Sequence, residues 1–522
     1  MQTSFGRTVP SIALMIASAL ALAAPLAAQL SLIERHGIHP YSPFDPHRIS
    51  YVEATGAAGD LGFDGGRTEL EFGDLNGDGH VDLVTVGDHG SPFIGTQMHG
   101  LTVWFGDGKG NWSVQQTGTF GYGGVALGDV NGDGLMDVGY GVHHNYSAED
   151  LGDQLLEVAL GDGSGTNWTA WDDGLATSGE TYGMFGTDFG DVDSDGDLDV
   201  GSNSFGCCAG VHVYRNNGNG TWTQTFGFVS GNSDMDLLFA DVNGDGHLDV
   251  ISGNQDGTVW IGDGAGGFSA ADGNLPAAAY RGVAAGDVDG DGKDELGVVT
   301  SGLPQVWSWH PGNEWTVKYK AGLTNDGYDA MQLVDMDGDG HCDVLAFGDG
   351  LLSVFRGNGA GAWKKTVSFE TPGVNSKDCE ALRAGTDFDH NGYPDVALVQ
   401  DEGGAFGGSN KLRIFREASA PTTLIARVME PSRNRVWRGG QVRFVDWAAG
   451  IPGNKPSSVT LELSTTGPDG PWTLLAADIP DNGRHQLIVP AAVSSGACRI
   501  RLTVTAGPKS LSVVSRAFRI QP

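Results

Sequence analysis

Seven times between Asp74 and Asp395 the chain repeats an acidic nine-residue signature, D-x-[DN]-x-[DN]-G-x-x-[DE], with copies beginning at Asp74, Asp129, Asp191, Asp241, Asp287, Asp335 and Asp387. Successive copies start 55, 62, 50, 46, 48 and 52 residues apart. A unit of about fifty residues is too small to bury its own apolar face, so this period predicts an array of stacked blades.

In the first copy Asp74, Asn76, Asp78 and Asp82 place oxygen side chains at positions 1, 3, 5 and 9, and Gly79 at position 6 permits a sharp turn. Ca²⁺ takes about 6–8 hard oxygen ligands at roughly 2.3–2.6 Å, so alternate residues of a curled loop can surround it, and the position-7 carbonyl adds another. The corresponding sets are Asp129, Asn131, Asp133 and Asp137; Asp191, Asp193, Asp195 and Asp199; Asp241, Asn243, Asp245 and Asp249; Asp287, Asp289, Asp291 and Glu295; Asp335, Asp337, Asp339 and Asp343; and Asp387, Asp389, Asn391 and Asp395. Position 7 holds His80, Leu135, Asp197, His247, Lys293, His341 and Tyr393 in turn. Ligation through the main chain explains that variety, and the three histidines are expected to face solvent. A single match would read as an ordinary Asx turn, but seven predict up to seven Ca²⁺ ions. The last copy departs most, with Pro394 beside Tyr393, and the fifth ends in Glu295.

Each unit reads as four short strands. In the second, Gly124 to Leu127 enters the acidic loop and Met136 to Tyr140 leaves it; Leu155 to Leu160 then turns at Gly161-Asp162-Gly163 into Trp168 to Trp171. The turn-plus-aromatic hairpin recurs in six units, while the seventh stops after a third strand, Lys411 to Phe415. Ile49 to Ala54, ahead of the first acidic loop, has the alternation to supply the missing strand, which would close a ring and hide its edges.

With Phe72-Gly73-Asp74-Leu75-Asn76-Gly77-Asp78-Gly79 and its six relatives, roughly residues 45 to 417 resemble the FG-GAP and VCBS repeats of integrin-alpha-like seven-bladed β-propellers. The resemblance implies an all-β fold in which calcium braces the hairpin between the first two strands of each blade. It implies no single activity, because adhesion receptors, lectins and polysaccharide lyases share the scaffold.

The formal net charge of −35 is uneven. Residues 421 to 522 carry 12 Lys/Arg against 6 Asp/Glu, so the remainder stands at −41. Twenty-four of its acids occupy positions 1, 3, 5 and 9 of the loops, and seven Ca²⁺ would neutralise 14 charges. An acidic propeller without a basic, aromatic-interleaved stripe repels phosphate, which excludes nucleic acid as partner. Arg7, the apolar run Ile12 to Leu22 and the small residues ending at Ala27-Ala28 read as a secretory signal peptide over 1–28, hence an extracellular or cell-surface protein, or a periplasmic one, with no transmembrane span in the mature chain. Five cysteines leave at least one unpaired. Cys207-Cys208 reads either as a vicinal disulfide or as two free thiols, and neighbouring blades could bring Cys342 to Cys379.

The propeller is expected over 29–418, a linker over 419–422, and a β-sandwich over 423–522, where six or seven alternating runs follow in about a hundred residues. Trp437-Arg438-Gly439-Gly440 and Ala497-Cys498-Arg499-Ile500-Arg501 resemble immunoglobulin-like or fibronectin-like accessory modules, which implies a spacer or surface-docking role. On the face opposite the acidic loops, the second-to-third-strand connections lengthen in units seven, one, two and three. They carry Phe93, Met98, His99, His143, His144, Tyr146, Phe205 and Phe406, a set suited to binding a glycan or an extracellular protein. Plain loop packing accounts for the same residues equally well. His143-His144 with Asp150 or Asp153 could instead serve acid–base chemistry or a transition metal. The leading expectation is a non-enzymatic recognition or adhesion protein. A polysaccharide lyase is the alternative, weakened by the near absence of Arg and Lys from those loops, and a purely structural surface component shares every feature of the first.

Overall fold

The computed structural model describes residues 49–60, 62–64, 69–87, 97–121, 123–142, 149–176, 184–204, 210–229, 236–253, 257–278, 281–317, 322–348, 350–370, 382–400 and 409–522. Strands dominate them, with one 3-10 turn at Gly56–Asp60. No described helix is long and apolar enough to cross a membrane. The segment read as a signal peptide lies outside the described residues.

Up to Glu417 the strands form seven antiparallel sheets, six of them four-stranded and ordered as in the sequence. The second unit runs Val125–Gly128, Asp137–Gly141, Leu156–Gly161 and Trp168–Ala170, close to the expected runs. Its second strand is buried throughout, because each sheet is packed on both faces by its neighbours. Fourth strands such as Trp112–Thr117 bury the leading tryptophan and expose the following residues, as an outer edge should.

The seventh sheet takes Leu382–Ala384, Val396–Gln400 and Ser409–Glu417 from the end of the array and Tyr51–Glu53 from its start, with Tyr51 opposite Glu417 and Glu53 opposite Phe415. Residues 49–54 thus supply the missing outer strand. Two observations show that the ring closes. Trp222 Nε1 donates to the Trp171 carbonyl (2.7 Å) and Trp315 Nε1 to the Ala271 carbonyl (2.7 Å), each at the outer edge of the preceding sheet; Trp112 of the first sheet donates in the same way to Ala54 (3.2 Å), at the edge of the seventh. Leu83 and Trp104 of the first sheet also share one buried cluster with Val399, Leu412 and Ile414 of the last.

After Glu417 nine strands, from Ile425–Glu430 to Phe518–Gln521, form a three-stranded and a six-stranded sheet. Their shared core holds Trp437, Trp447, Leu461, Leu502 and Phe518. The expected six or seven runs fall short of these nine strands, which include the short Val436–Arg438 and Phe518–Gln521. Cys342 and Cys498 are free thiols, which overturns the Cys342–Cys379 pairing; burial pushes the Cys342 thiol far up, so it stays protonated. Cys207, Cys208 and Cys379 lie outside the described residues.

Candidate metal centres

Each acidic loop joins the first and second strands of a sheet and curls around its own side chains. The position-6 glycines Gly79, Gly134, Gly196, Gly246, Gly292, Gly340 and Gly392 all have φ between +83° and +99°, a conformation costly for any residue with a Cβ. In the second loop Asp129 Oδ1 accepts from the Gly132 and Asp133 amides (2.8 and 3.1 Å) and Oδ2 from Gly134 (2.8 Å); Asn131 Oδ1 accepts from Asp133 (2.9 Å) and Asp133 Oδ1 from Leu135 (2.8 Å). These bonds hold the side chains of positions 1, 3 and 5 against the loop's own amides.

The position-9 acid also braces the blade. Asp137 accepts the Val130 amide on Oδ2 and the Gly161 amide, from the third strand, on Oδ1, both at 2.9 Å. Asp82, Asp199, Asp249, Asp343 and Asp395 repeat the pattern. Glu295 reaches one residue less far along the third strand, accepting from Val288 and from the Ser308 hydroxyl (2.5 Å). All seven acids are buried.

Do these loops fit a cation? In four of them acidic oxygens lie within 4.8 Å of one another: Asp191, Asp193 and Asp199; Asp287, Asp289 and Asp291; Asp335, Asp337 and Asp339; Asp387, Asp389 and Asp395. The other three have Asn at position 3, which contributes an amide oxygen in place of a carboxylate. In the third loop Asp191 Oδ1, Asp193 Oδ1 and Asp197 Oδ1 are buried without a hydrogen-bond partner. Burial pushes carboxyls up, Asp137 to about 7, Asp249 to about 8 and Asp193 to about 6. Converging buried carboxylates that their protein leaves unpaired are stabilised by a bound cation. An all-oxygen donor set of this kind suits a hard divalent ion, and Ca²⁺ bound there would neutralise the loop and lock the hairpin.

One expectation is corrected. The position-7 histidines do not face solvent: His80, His247 and His341 are only partly exposed. They lie over glycines of the hairpin turn in the same unit, so that a Cβ on Gly108, Gly264 or Gly359 would stand 2.6, 2.1 or 2.1 Å from the imidazole Nδ1. Leu135 covers Gly163 likewise. Asp197, which sequence alone assigns a main-chain role, joins its own acidic cluster and is pushed up to about 8 by burial and by Asp195. Tyr393 lies under the Arg427 guanidinium, 4.9 Å from the ring centroid.

The C-terminal sandwich covers this face and reaches every loop, which the sequence reading did not anticipate. Asn482 Nδ2 approaches Asp74 Oδ2 (3.4 Å), and Gln486 bonds both the amide and the carbonyl of Asp129 (3.0 and 2.8 Å). The Val442 amide donates to Asp191 Oδ2 (2.8 Å); Arg438 and Arg443 donate to the carbonyls of Asp245 and Gly246 (2.8 and 2.6 Å). Asn434 donates to the Gly290 carbonyl (2.8 Å), and Arg435 makes a two-pronged pair with Asp294 (2.9 and 2.7 Å) while holding Glu430 of its own domain. Arg516 donates to the Asp339 carbonyl (3.3 Å), Arg427 donates to that of Gly392, and the Ile451 amide bonds the His390 carbonyl (2.7 Å). The sign of this contact was legible as +6 against −41; its location was not.

At the other end of the strands, Phe93, His143, His144, Tyr146, Phe205 and Phe406 lie outside the described residues. His99 is partly exposed, whereas Met98 is fully buried in the cluster shared by the first and last sheets and is a packing residue there. Beside Gln154 in the second unit sits a pair that sequence reading missed, Glu157 and Asp172. Both are buried. Glu157 Oε1 accepts the Gln154 amide (2.8 Å), and its carboxyl is pushed up to about 11 by burial and by Asp172. Their positions, on a third strand and just after a fourth, carry no motif.

An FG-GAP-like repeat model matches residues 74–140, 204–252, 241–298 and 335–398. Among solved structures the chain is similar to an Agrocybe aegerita lectin described as recognising non-reducing terminal N-acetylglucosamine, at 20% identity over 57% of this chain and 80% of that one, with a TM-score of 0.40. It is similar to BBS1N in complex with ARL6DN at 12% identity, over 68% and 97% of the two chains, with a TM-score of 0.40. It is also similar to the Photorhabdus luminescens Tc holotoxin pore at 13% identity, over 88% of this chain but 20% of that one, with a TM-score of 0.34. No curated protein matches the chain.

Proposed function

We propose that this FG-GAP β-propeller is a secreted, calcium-stiffened recognition protein that binds glycan or an extracellular protein on the face opposite its acidic loops. The observation that carries the reading is the seating of the C-terminal sandwich on all seven loops, by Arg435 on Asp294, Val442 on Asp191 and Gln486 on Asp129 among others. That contact occupies the loop face from within the chain. The opposite ends of the strands are left for a ligand, and there the second-to-third-strand connections are longest in units seven, one, two and three. Rigid scaffolds commonly present binding residues on such loops.

The chemistry of the proposed face is aromatic and imidazole rather than basic. Phe93, His99, His143, His144, Tyr146, Phe205 and Phe406 would offer stacking surfaces and hydrogen bonds, which suit sugar rings or a peptide surface better than a polyanion. Calcium contributes indirectly by stiffening the blades that carry the loops. The test is retention of the mature protein on a panel of polysaccharides and glycans in roughly millimolar calcium, with the length of each polymer read afterwards. Retention without shortening is the expected result. Shortening would replace recognition with catalysis, and neither retention nor shortening would direct the search to protein partners.

A further inference from the structure

The sandwich and the ion would share the same seven loops, and the structure distinguishes the atoms each uses. Among the described contacts the sandwich takes loop carbonyls at position 1 (Asp129), position 4 (Gly290, His390), position 5 (Asp245, Asp339) and position 6 (Gly246, Gly392). None of these is the position-7 carbonyl that a calcium loop offers its ion. Its closest ion pair to the loop face, Arg435 to Asp294, engages position 8, a side chain outside the ligand set. Where the sandwich does touch a position-1 carboxylate it uses a neutral donor on Oδ2, as Val442 does on Asp191, whose Oδ1 stays without a hydrogen-bond partner. The domain therefore grips the outer backs of the loops while their inner oxygens remain available.

Opposite charge alone would set the two in competition, because the +6 sandwich and Ca²⁺ are drawn to the same negative field. The contacts point the other way. Arg438, Arg443, Asn434, Arg516 and Arg427 donate to main-chain carbonyls, and a carbonyl is in place only when the loop holds its curl. A cation inside the loop fixes that curl. Beside Val442 and Phe444, which pack into the apolar cluster of the second and third sheets, the sandwich meets the loops through hydrogen bonds, and polar interdomain contacts separate more readily than apolar ones.

We infer that calcium and the C-terminal sandwich bind the acidic loops cooperatively, so that the sandwich is a latch that closes over ion-filled loops and, by reciprocity, raises their calcium affinity. The inference rests on the calcium reading of the loops and concerns this chain's own residues toward that ion. Linkage requires the two effects to be equal in size, and couplings between sites commonly amount to about 5–150-fold.

The test is calcium calorimetry on the full chain and on the Arg438→Ala/Arg443→Ala variant, whose lost side chains donate to the loop carbonyls of Asp245 and Gly246 and, within the sandwich, to that of Pro522. Cooperation predicts at least about fivefold weaker calcium binding in the variant. Unchanged or tighter binding overturns the latch and favours competition. No calcium heat in the parent chain overturns the calcium reading itself, which separates the two failures. A second measurement needs no variant: small-angle scattering of the parent chain with calcium and after chelation, under conditions where near-ultraviolet circular dichroism reports an intact propeller. Lift-off predicts a larger radius of gyration after chelation, and equal radii overturn the inference.

Discussion

Replacing Glu157 with Gln should stabilise this protein at pH 8 and leave it nearly unchanged at pH 5. Glu157 is fully buried beside Asp172, and burial together with that neighbour pushes its carboxyl from 4.5 up to about 11. The folded chain thus keeps a proton that the unfolded chain surrenders near pH 4.5. Between those values the native state binds more protons, so stability falls as pH rises, by about 1.4 kcal/mol per unit for one proton. From pH 5 to pH 8 the pair therefore loses up to roughly 4 kcal/mol, and about 2–4 is the realistic range once the two carboxyls share the change. Glutamine has the shape of the protonated acid: its oxygen still accepts the Gln154 amide, and its NH₂ can donate to Asp172, with no proton to lose at pH 8. Denaturant unfolding at pH 5, 6, 7 and 8 in saturating calcium, which removes the loop carboxyls from the titration, reads the effect directly. Equal pH slopes in parent and variant, or a variant less stable at pH 8, would refute the shared-proton account.

Chelation should lower the melting temperature of the propeller substantially, since an ion that binds only the folded loops adds about 2.7 kcal/mol at one hundred times its Kd; an unchanged melting curve would sink the metal reading. Asp137→Ala should cost about 2–5 kcal/mol even in chelator, because it strands the buried amides of Val130 and Gly161, and a loss below about 1 kcal/mol would contradict the bracing role. Replacing His143, His144 and Tyr146 together should abolish retention on the captured ligand while leaving calcium calorimetry unchanged; full retention would move the site elsewhere.

Local signals carried much of this fold. The acidic signature sits between first and second strands wherever it occurs, and Trp168 and its counterparts open the outer strands because a large ring must lie against the preceding sheet. Ring closure by residues 49–54 was legible for the same reason, as one unit lacked a strand and one strand lacked a unit. Position 7 misled because variable identity was taken for exposure. His80, Leu135, His247 and His341 all cover a hairpin glycine, and that contact asks only for bulk, so unlike residues satisfy it. The sandwich's seat was hidden for another reason. Its contacts go largely to loop carbonyls, which every residue possesses and no side-chain pattern betrays. Glu157 and Asp172 are fifteen residues apart in sequence and meet only through the pairing of a third and a fourth strand.

The loops also balance their own charge, and this yields a last prediction. Three of the four loops with Asp at position 3 face an arginine from the third strand: Arg215 lies 3.8 Å from Asp193, Arg416 3.0 Å from Asp389, and Arg356 reaches both Asp337 (2.6 Å) and Asp339 (2.9 Å). Where position 3 is Asn76, Asn131 or Asn243, the same strand position holds Phe105, Leu160 or Ile261. The fifth loop has Ser308 there, donating to Glu295, and keeps its cation locally as Lys293, 3.7 Å from Asp291. An extra carboxylate is thus matched by an extra positive charge, which keeps the loops tolerable before an ion arrives. Unlike the arginines of the sandwich, Arg356 holds carboxylates that calcium would use. Arg356→Ala should therefore weaken the chelated protein while tightening calcium at the sixth loop, by about 1 kcal/mol or near fivefold for a partly exposed pair. Calorimetry paired with unfolding in chelator separates the two effects. Weaker calcium binding in the variant would mean that Arg356 orients the carboxylates for the ion rather than standing in for it.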